Sequence, residues 1–268
     1  MRNHPLLALL SVSLSFSVAS MAHASSGVTI DQPKVLYKLQ PGQSVTNVVN
    51  VLNPGFSGEN LEIKVVQNDW LLNPQGEPQY LSPGTLKQSL ARWLTLPANT
   101  FALGGQNQRD VRYTLQVPPG TAPGLYWGVL FFNSQAQPSA NVPKNGVALQ
   151  YTVNVGHIIY VEVGEVKTDG RISSLKAGFD KDKLTISAAL RNQGSTYLGV
   201  QGKVEVRDAK GVMVAQGEVP SSLILPGYSR SFDTVIDKVL TPGKYLVLTA
   251  LEYQKGKFYT GETTLEVK

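Results

Sequence analysis

The sequence predicts an all-β protein with two β-sandwich domains in tandem, and three observations support this prediction. Apolar and polar residues alternate along many short segments, as they do in strands that turn one face to a core. Proline and glycine turn signals separate these segments at the short intervals typical of sandwiches. Helical periodicity is nearly absent, because its one candidate, Thr85 to Leu94, is short and breaks at Leu96-Pro97. The turn signals are Pro41-Gly42, Pro54-Gly55, Pro119-Gly120, Pro123-Gly124, Pro226-Gly227 and Pro242-Gly243.

Residues 1–24 have the features of a secretory signal peptide. Arg2 gives a short positive start, residues 5–19 form an apolar run that is short for a membrane span, and Ala22-His23-Ala24 is a small-x-small cleavage site. We therefore expect a mature chain that begins near Ser25 and is exported to the periplasm, with secretion or a cell-surface location as the alternatives. No later segment approaches the length of a transmembrane helix, so we do not expect a membrane-spanning protein.

The composition disfavours an enzyme. The chain has no cysteine, and of its three histidines only His157 lies beyond the predicted signal peptide. A thiol nucleophile, a disulfide framework and a multi-histidine metal site are therefore not expected. The sequence also lacks the GxSxG and HExxH motifs and any convincing pair of carboxylates. We expect no catalytic residue, no metal and no cofactor.

The charges are scattered and mildly positive. Lysine and arginine number 24, and aspartate and glutamate number 19. Removal of Arg2 with the signal peptide leaves 23 basic and 19 acidic residues, a net charge of +4. A dispersed excess of this size suits solubility and weak attraction to anionic envelope surfaces. We expect no nucleic-acid partner.

Residues 25–160 are predicted to form the first domain. It contains seven to eight strands, the number that an immunoglobulin-like sandwich needs, and its first strand is expected to break at Pro33. Trp70, Trp93 and Trp127 are expected to pack in the core or at its rim. The predicted strands are Val28–Ile30, Val35–Leu39, Ser44–Leu52, Leu61–Val66, Trp93–Leu96, Val111–Val117, Leu125–Phe132 and the stretch that begins at Gly146, with loops at 73–84 and 133–145.

Residues 161–268 are predicted to form a second immunoglobulin-like domain. A polar junction at Glu165 to Gly170 leads into it, and we expect few contacts between the domains across that junction. Asp180-Lys181-Asp182 has the spacing of a metal site but is expected to be a solvated turn. The predicted strands are Leu184–Leu190, Gly202–Arg207 and Val212–Gln216 as a hairpin, Ser229–Ile236, Lys244–Leu251, Lys257–Thr260 and Thr263–Val267.

Apolar and polar residues alternate over a long stretch from Gly146 to Val163. A strand usually runs about 5–6 residues, so this length needs an explanation, and two remain open. The stretch is either two consecutive strands or a strand that crosses into the next domain, or it is an edge strand that accepts a strand from another chain. Its apolar row is Val147, Leu149, Tyr151, Val153, Val155, Ile159, Val161 and Val163.

The opening segment VTIDQPKVLYKLQPGQSVTNVVNVLNP resembles the start of periplasmic pilus-assembly chaperones, with an apolar strand, a basic residue and a second strand that ends in asparagine. The run from Leu125 through a Pro/Asn loop to Val147 is similar in layout. This resemblance implies that the long strand lends apolar side chains to a pilus subunit that lacks a strand. It further implies that Lys34 is the first of two basic residues that hold the subunit's C-terminal carboxylate. The implied donor residues are Val147, Leu149, Tyr151, Val153 and Val155.

The segment after the donor strand departs from the chaperone pattern. Chaperones of this family carry a second basic anchor there, whereas this chain reads Gly156-His157-Ile158-Ile159. We expect His157 to be a hydrogen-bonded structural residue near the domain junction. Partial substitution for the basic anchor is the alternative, for which a neutral imidazole is poorly suited.

A second family also resembles this chain. The segments PGQSVTNVVNVLNP, SLARWL and PGLYWGVLFF are similar to the peptidoglycan-binding domain of WxL-interacting surface proteins. Those proteins generally carry a C-terminal membrane anchor, which we do not expect here. Both families are immunoglobulin-like, so both imply the same fold.

The favoured hypothesis is an exported, non-catalytic, chaperone-like protein that donates an edge strand to surface or pilus subunits for their folding and assembly. The partners that the resemblance implies are pilus or other exported surface subunits and an outer-membrane usher. Self-association through the edge strand is a further alternative. The competing hypothesis is a structural envelope protein or a module that binds peptidoglycan or another cell-surface component.

Overall fold

A computed structural model describes residues 27–136, 152–180 and 183–268. These residues form seventeen β-strands and no helix, which confirms the all-β prediction. The short helical pattern at 85–94 forms no helix, because this segment consists of turns, one bridge between Ser89 and Trp127 and, at Leu94, the start of a strand. None of the described segments provides a helix that could cross a membrane.

The N-terminal part is a sandwich of two sheets. Its ten strands are β1 (Thr29–Ile30), β2 (Lys34–Leu39), β3 (Ser44–Leu52), β4 (Asn60–Leu72), β5 (Pro78–Leu81), β6 (Leu94–Thr95), β7 (Thr100–Gly104), β8 (Gln108–Gln116), β9 (Gly124–Ala136) and β10 (Thr152–Val163). The first sheet has the order β1-β3-β8-β6. The second has the order β2-β10-β9-β4-β5, and β7 also pairs with β4. This layout is immunoglobulin-like.

The predicted break in the first strand at Pro33 is confirmed, and it connects the two sheets. β1 pairs antiparallel with β3 in the first sheet. β2 pairs parallel with β10 in the second sheet. The first strand therefore contributes one half, β1, to the first sheet and the other half, β2, to the second sheet.

Three parts of the N-terminal sandwich differ from the predicted strands. β5 lies within the predicted loop at 73–84 and pairs with the end of β4, where Asp69 is opposite Leu81. β7 was not predicted and pairs with the beginning of β4. β9 continues to Ala136, inside the predicted loop at 133–145. These segments are short or polar, so pairing with neighbouring strands, rather than alternation, stabilises them.

The core of the N-terminal sandwich lies between its two sheets. Alternate residues of the strands point into it, for example Val49 and Val51 of β3 and Ile63 of β4, all fully buried. Burial of each such side chain contributes about 1.5–3 kcal/mol. Trp93 packs in this core, whereas Trp70 and Trp127 are buried on the opposite face of the second sheet. The prediction that the three tryptophans are packing residues is confirmed.

The C-terminal part is a second two-sheet sandwich. Its strands are β11 (Gly170–Asp180), β12 (Lys183–Asn192), β13 (Leu198–Arg207), β14 (Met213–Ile224), β15 (Ser229–Ile236), β16 (Gly243–Gln254) and β17 (Lys257–Val267). They form the sheets β11-β12-β15 and β14-β13-β16-β17. The predicted hairpin across 208–211 is confirmed, since Arg207 is opposite Met213. β11 was not predicted, and a register shift between Ile172 and Ser174 interrupts its alternation.

Apolar side chains from both sandwiches pack together at the domain junction. Leu225 of the C-terminal sandwich is buried in a cluster with residues of the second N-terminal sheet. The N-terminal members of this cluster are Trp70, Leu125, Trp127, Val129 and Tyr160, and Tyr197, Leu223 and Tyr228 pack against it from the C-terminal side. The expectation of few contacts across the junction is therefore wrong, because large apolar side chains outside the polar linker meet there.

Hydrogen bonds also cross the junction. The Leu125 N–H donates to the Ser195 carbonyl at 2.8 Å, and the Ser231 N–H donates to the Pro74 carbonyl at 2.8 Å. The Thr196 hydroxyl donates to the buried Glu162 carboxylate at 2.6 Å. β10 ends at Val163 and β11 begins at Gly170, and the domain limits at 160 and 161 stay a prediction.

Candidate strand-binding edge

The long alternating stretch forms one strand over its described part. β10 pairs antiparallel with β9 along its whole length, from Thr152 to Val163. On its other side it pairs with β2 only from Ile158 onward. In the part of the chain that the structure describes, 152–157 therefore has a strand on one side only. We call the other side of 152–157, which faces away from β9, the open edge.

Among the described residues, the backbone groups of the open edge that point away from β9 have no strand partner, and they follow a regular order. The Ile158 N–H donates to the Pro33 carbonyl at 2.9 Å, on the β2 side. The Val153 carbonyl accepts from the Ser134 hydroxyl at 3.1 Å, on the β9 side. Since these directions alternate along a strand, the N–H and C=O groups of Thr152, Asn154 and Gly156 point to the open side. Such a row is a template for another strand.

Pro33 explains why β2 does not continue along this edge. In a parallel ladder, the residue before Lys34 would donate its N–H to the Gly156 carbonyl, because Lys34 is opposite Ile158. Proline has no N–H, so the ladder stops there. The chain before Pro33 crosses to the first sheet, where the Asp31 N–H donates to the Asn50 carbonyl.

The inner-face row of β10 leaves the core toward its N-terminal end. Ile159, Val161 and Val163 are fully buried in the N-terminal core. Val155 is half-buried and packs against that core. Val153 is also half-buried and contacts Gly27, where an added β-carbon would lie 2.8 Å from the Val153 Cβ. The other three predicted donor residues, Val147, Leu149 and Tyr151, lie outside the described residues.

Lys34 lies where the open edge ends. It is the first residue of β2, its side chain is exposed, and its Cα is opposite that of Ile158. No described residue forms an ion pair with it. Lys38, four residues further along β2, instead lies 3.6 Å from the Glu162 carboxylate. Lys34 is thus an available cation beside the last unpaired groups of β10.

His157 is a buried structural residue of the N-terminal sandwich. Its Nδ1 bonds the Gln32 carbonyl, which only accepts, so Nδ1 carries the proton in the neutral ring. Nε2 then accepts from the Tyr113 hydroxyl at 3.0 Å. Burial lowers the pKa of His157. A buried neutral ring with both nitrogens hydrogen-bonded provides no cation for a carboxylate. The His157 ring lies within the N-terminal sandwich rather than at the domain junction.

The outer face of β10, opposite the core, carries an apolar row next to the open edge. Gly156 is opposite Phe131 of β9, which is opposite Val66 of β4. Tyr80 of β5 packs edge-on against Phe131, with ring centroids 4.8 Å apart. Ile158 and Phe131 are half-buried, and both pack against the junction cluster. This row is not visible in the sequence, because only register across four strands brings it together.

Polar rows follow on the same outer face, away from the junction. Asn154 is opposite Asn133, which is opposite Lys64. Thr152 is opposite Gln135 in the next row. Among the described residues, no group of three or more His, Cys, Asp or Glu side chains is placed to hold a metal.

Neither a protein-family model nor a curated protein matches the chain. The chain is similar to solved structures of several chaperones. The class 5 fimbriae chaperone CfaA is 15% identical, with 90% of this chain and 99% of that chain covered and a TM-score of 0.47. The E. coli chaperone DraB is 14% identical, with 90% and 98% covered and a TM-score of 0.40. The Pseudomonas aeruginosa CupB2 chaperone is 10% identical, with 88% and 100% covered and a TM-score of 0.42.

Proposed function

We propose that this protein is an exported chaperone that binds a strand of a surface or pilus subunit at the open edge of β10. One observation carries the proposal: β10 has its β2 partner only from Ile158 onward, and beyond that point its inner-face residues Val155 and Val153 are no longer fully buried. The edge therefore offers a client both a backbone ladder and a half-buried apolar row. Strand addition uses these two features, the ladder for affinity and the side-chain row for specificity.

Lys34 fits this proposal as an anchor for a client carboxylate. A client strand that joins the open edge lies end to end with β2, which begins at Lys34 opposite Ile158. If the client runs parallel to β10, its C-terminal carboxylate arrives beside the Lys34 ammonium. The pair is exposed, so we expect it to contribute about 0.2–1 kcal/mol and to weaken with salt.

Replacement of Asn154 by proline tests strand addition directly. The Asn154 side chain is exposed and its N–H points to the open side, so proline removes a donor to the client and no bond to β9. The control is Asn154→Ala, which shortens the side chain and keeps the N–H. The probe is a short synthetic peptide of alternating valine and threonine with a lysine-rich N-terminal tag, and fluorescence anisotropy measures its affinity.

We expect Asn154→Pro to weaken peptide binding at least about tenfold with an unchanged melting temperature, and Asn154→Ala to bind like the wild type. Equal affinity of all three proteins would overturn the proposal. Lys34→Ala should weaken only peptides with a free C-terminal carboxylate, whereas Lys38→Ala, the matched control, should not. If an amidated peptide also binds Lys34→Ala more weakly than it binds the wild type, the anchor role is contradicted.

A second candidate function is envelope binding by the C-terminal sandwich. The outer face of the β14-β13-β16-β17 sheet has a groove of about 490 Å³ lined by Phe258, Lys203, Glu218 and Glu252, among others. Phe258 is 51% exposed, and an exposed ring among hydrogen-bonding side chains suits a sugar ring. Loss of binding to peptidoglycan sacculi in Phe258→Ala, but not in Asn154→Pro, would favour this function.

A further inference from the structure

We infer that the client strand places a bulky apolar side chain, best an aromatic one, across Gly156 on the outer face of β10. This inference rests on the proposed function and makes it more specific. It identifies Gly156, Phe131 and Tyr80 as the residues that select the client at this position. The client is thus a strand with an aromatic residue on the face opposite its core-directed row.

Gly156 brings an aromatic ring within reach of the open edge. A β-carbon at Gly156 would lie 3.2 Å from Phe131 Cε1 and 3.2 Å from Val129 Cγ2. The Phe131 ring therefore leans over the backbone of β10, in the space that a side chain would fill. Neighbouring strands lie about 4.8 Å apart, so a client side chain beside Gly156 meets this ring directly. Any residue larger than glycine at position 156 would place its own side chain between the client side chain and the Phe131 ring.

The surroundings of Gly156 favour an apolar client residue at this one position. Ile158 follows on the same face of β10 and is half-buried, and Tyr80, which packs on Phe131, is 53% exposed. These side chains provide apolar surface that the described part of the chain leaves partly uncovered. The next position along the open edge, Asn154, is opposite Asn133. A client residue beside Asn154 therefore meets amides, and a polar side chain suits it.

The two faces of the edge together predict the pattern of a client strand. On the inner face, residues beside Val153 and Val155 continue an apolar row. On the outer face, the residue beside Gly156 is bulky and apolar, and the residue two positions away, beside Asn154, is polar. Cross-strand aromatic pairs are among the more stabilising in sheets, so the aromatic position distinguishes a client from an ordinary alternating strand.

A set of peptides that differ in one residue tests this inference. Each is the alternating valine–threonine peptide with one threonine replaced by phenylalanine, and the phenylalanine is moved along the outer-face positions. We expect one position to raise affinity for the wild-type protein about tenfold over the unsubstituted peptide. In Gly156→Ala, that gain, measured against the same variant's affinity for the unsubstituted peptide, should fall to about twofold or less.

Two further variants keep the test independent of folding. Gly178→Ala is the matched control, because Gly178 lies on the edge strand β11 with no atom near its β-carbon position, and it should keep the full gain. Tyr80→Ser changes an exposed side chain that supports the Phe131 ring, and it should reduce the gain about threefold without lowering the melting temperature.

The outcomes separate the inference from the proposed function. If the wild type binds every peptide with equal affinity, strand addition holds and the inference is overturned. The same follows if Gly156→Ala and Tyr80→Ser both keep the full phenylalanine gain. If the wild type binds none of the peptides, with or without phenylalanine, the proposed function is overturned.

Discussion

Alanine substitutions along the inner-face row of β10 test whether this row leaves the core. Ile159 is fully buried in the core, and loss of an isoleucine side chain at such a position costs about 2–5 kcal/mol. Val153 and Val155 are half-buried. Valine to alanine removes two carbons worth about 0.8 kcal/mol each when fully buried, so incomplete burial gives less than about 1.6 kcal/mol in total. We therefore expect a steep fall in stability cost between Ile159 and Val155.

Urea denaturation measures this difference. With a slope of about 1–3 kcal/mol per M, Ile159→Ala should lower the midpoint by on the order of 1–3 M, and Val153→Ala or Val155→Ala by less than about 1 M. Peptide affinity should change in the opposite order, because the half-buried positions are those that a client completes. A stability loss at Val153→Ala equal to that at Ile159→Ala would refute the reasoning, since it would place the whole described row in the core.

Two further predictions concern buried polar groups. Burial holds the pKa of folded His157 below the value of about 6.5 in the unfolded chain. Its neutral form therefore stabilises the fold in full above pH 6.5, and this contribution falls by up to about 1.4 kcal/mol per pH unit as the pH drops toward the folded pKa. Urea titrations of wild type and His157→Gln should diverge in this way, and parallel pH profiles would contradict it. Thr196→Val removes the 2.6 Å bond to the buried Glu162 carboxylate and should cost about 1–3 kcal/mol. Thr260→Val, at an exposed position, should cost almost nothing, and equal melting temperatures for the two variants would count against the junction bond.

Alternation predicted the strands that bury one face, and it located some of them closely. β3 and β15 have the predicted bounds, Ser44–Leu52 and Ser229–Ile236. Their burial follows their sequence, because each alternates between a core face and an outer face. β5 and β11 were missed since little in their own residues alternates, and β7, in which Phe101 and Leu103 alternate with exposed residues, was missed because it is short. Their pairing depends on partners distant in sequence, such as the two ends of β4.

The candidate site could be predicted only in part. The apolar row that contains Val153 and Val155 is visible in the sequence, and so is the break at Pro33. The sequence does not show that β2 and β10 run parallel, which brings Lys34 opposite Ile158. Nor does it show that Gly156 lies beneath the Phe131 ring. Both depend on register between strands that are far apart along the chain.

The open edge and the domain junction occupy successive parts of one strand, and this arrangement links binding to the second domain. Tyr160 is buried in the junction cluster, and the Glu162 carboxylate accepts from Thr196 of the C-terminal sandwich. A shift of β10 by one residue would turn every side chain to the opposite face, so these contacts also fix which residues face the open side. Under the proposed function, we expect these contacts to hold the edge in one conformation before a client arrives, which lowers the ordering cost of association. We therefore expect the C-terminal sandwich to contribute to client affinity through β10 itself, without having to touch the client strand.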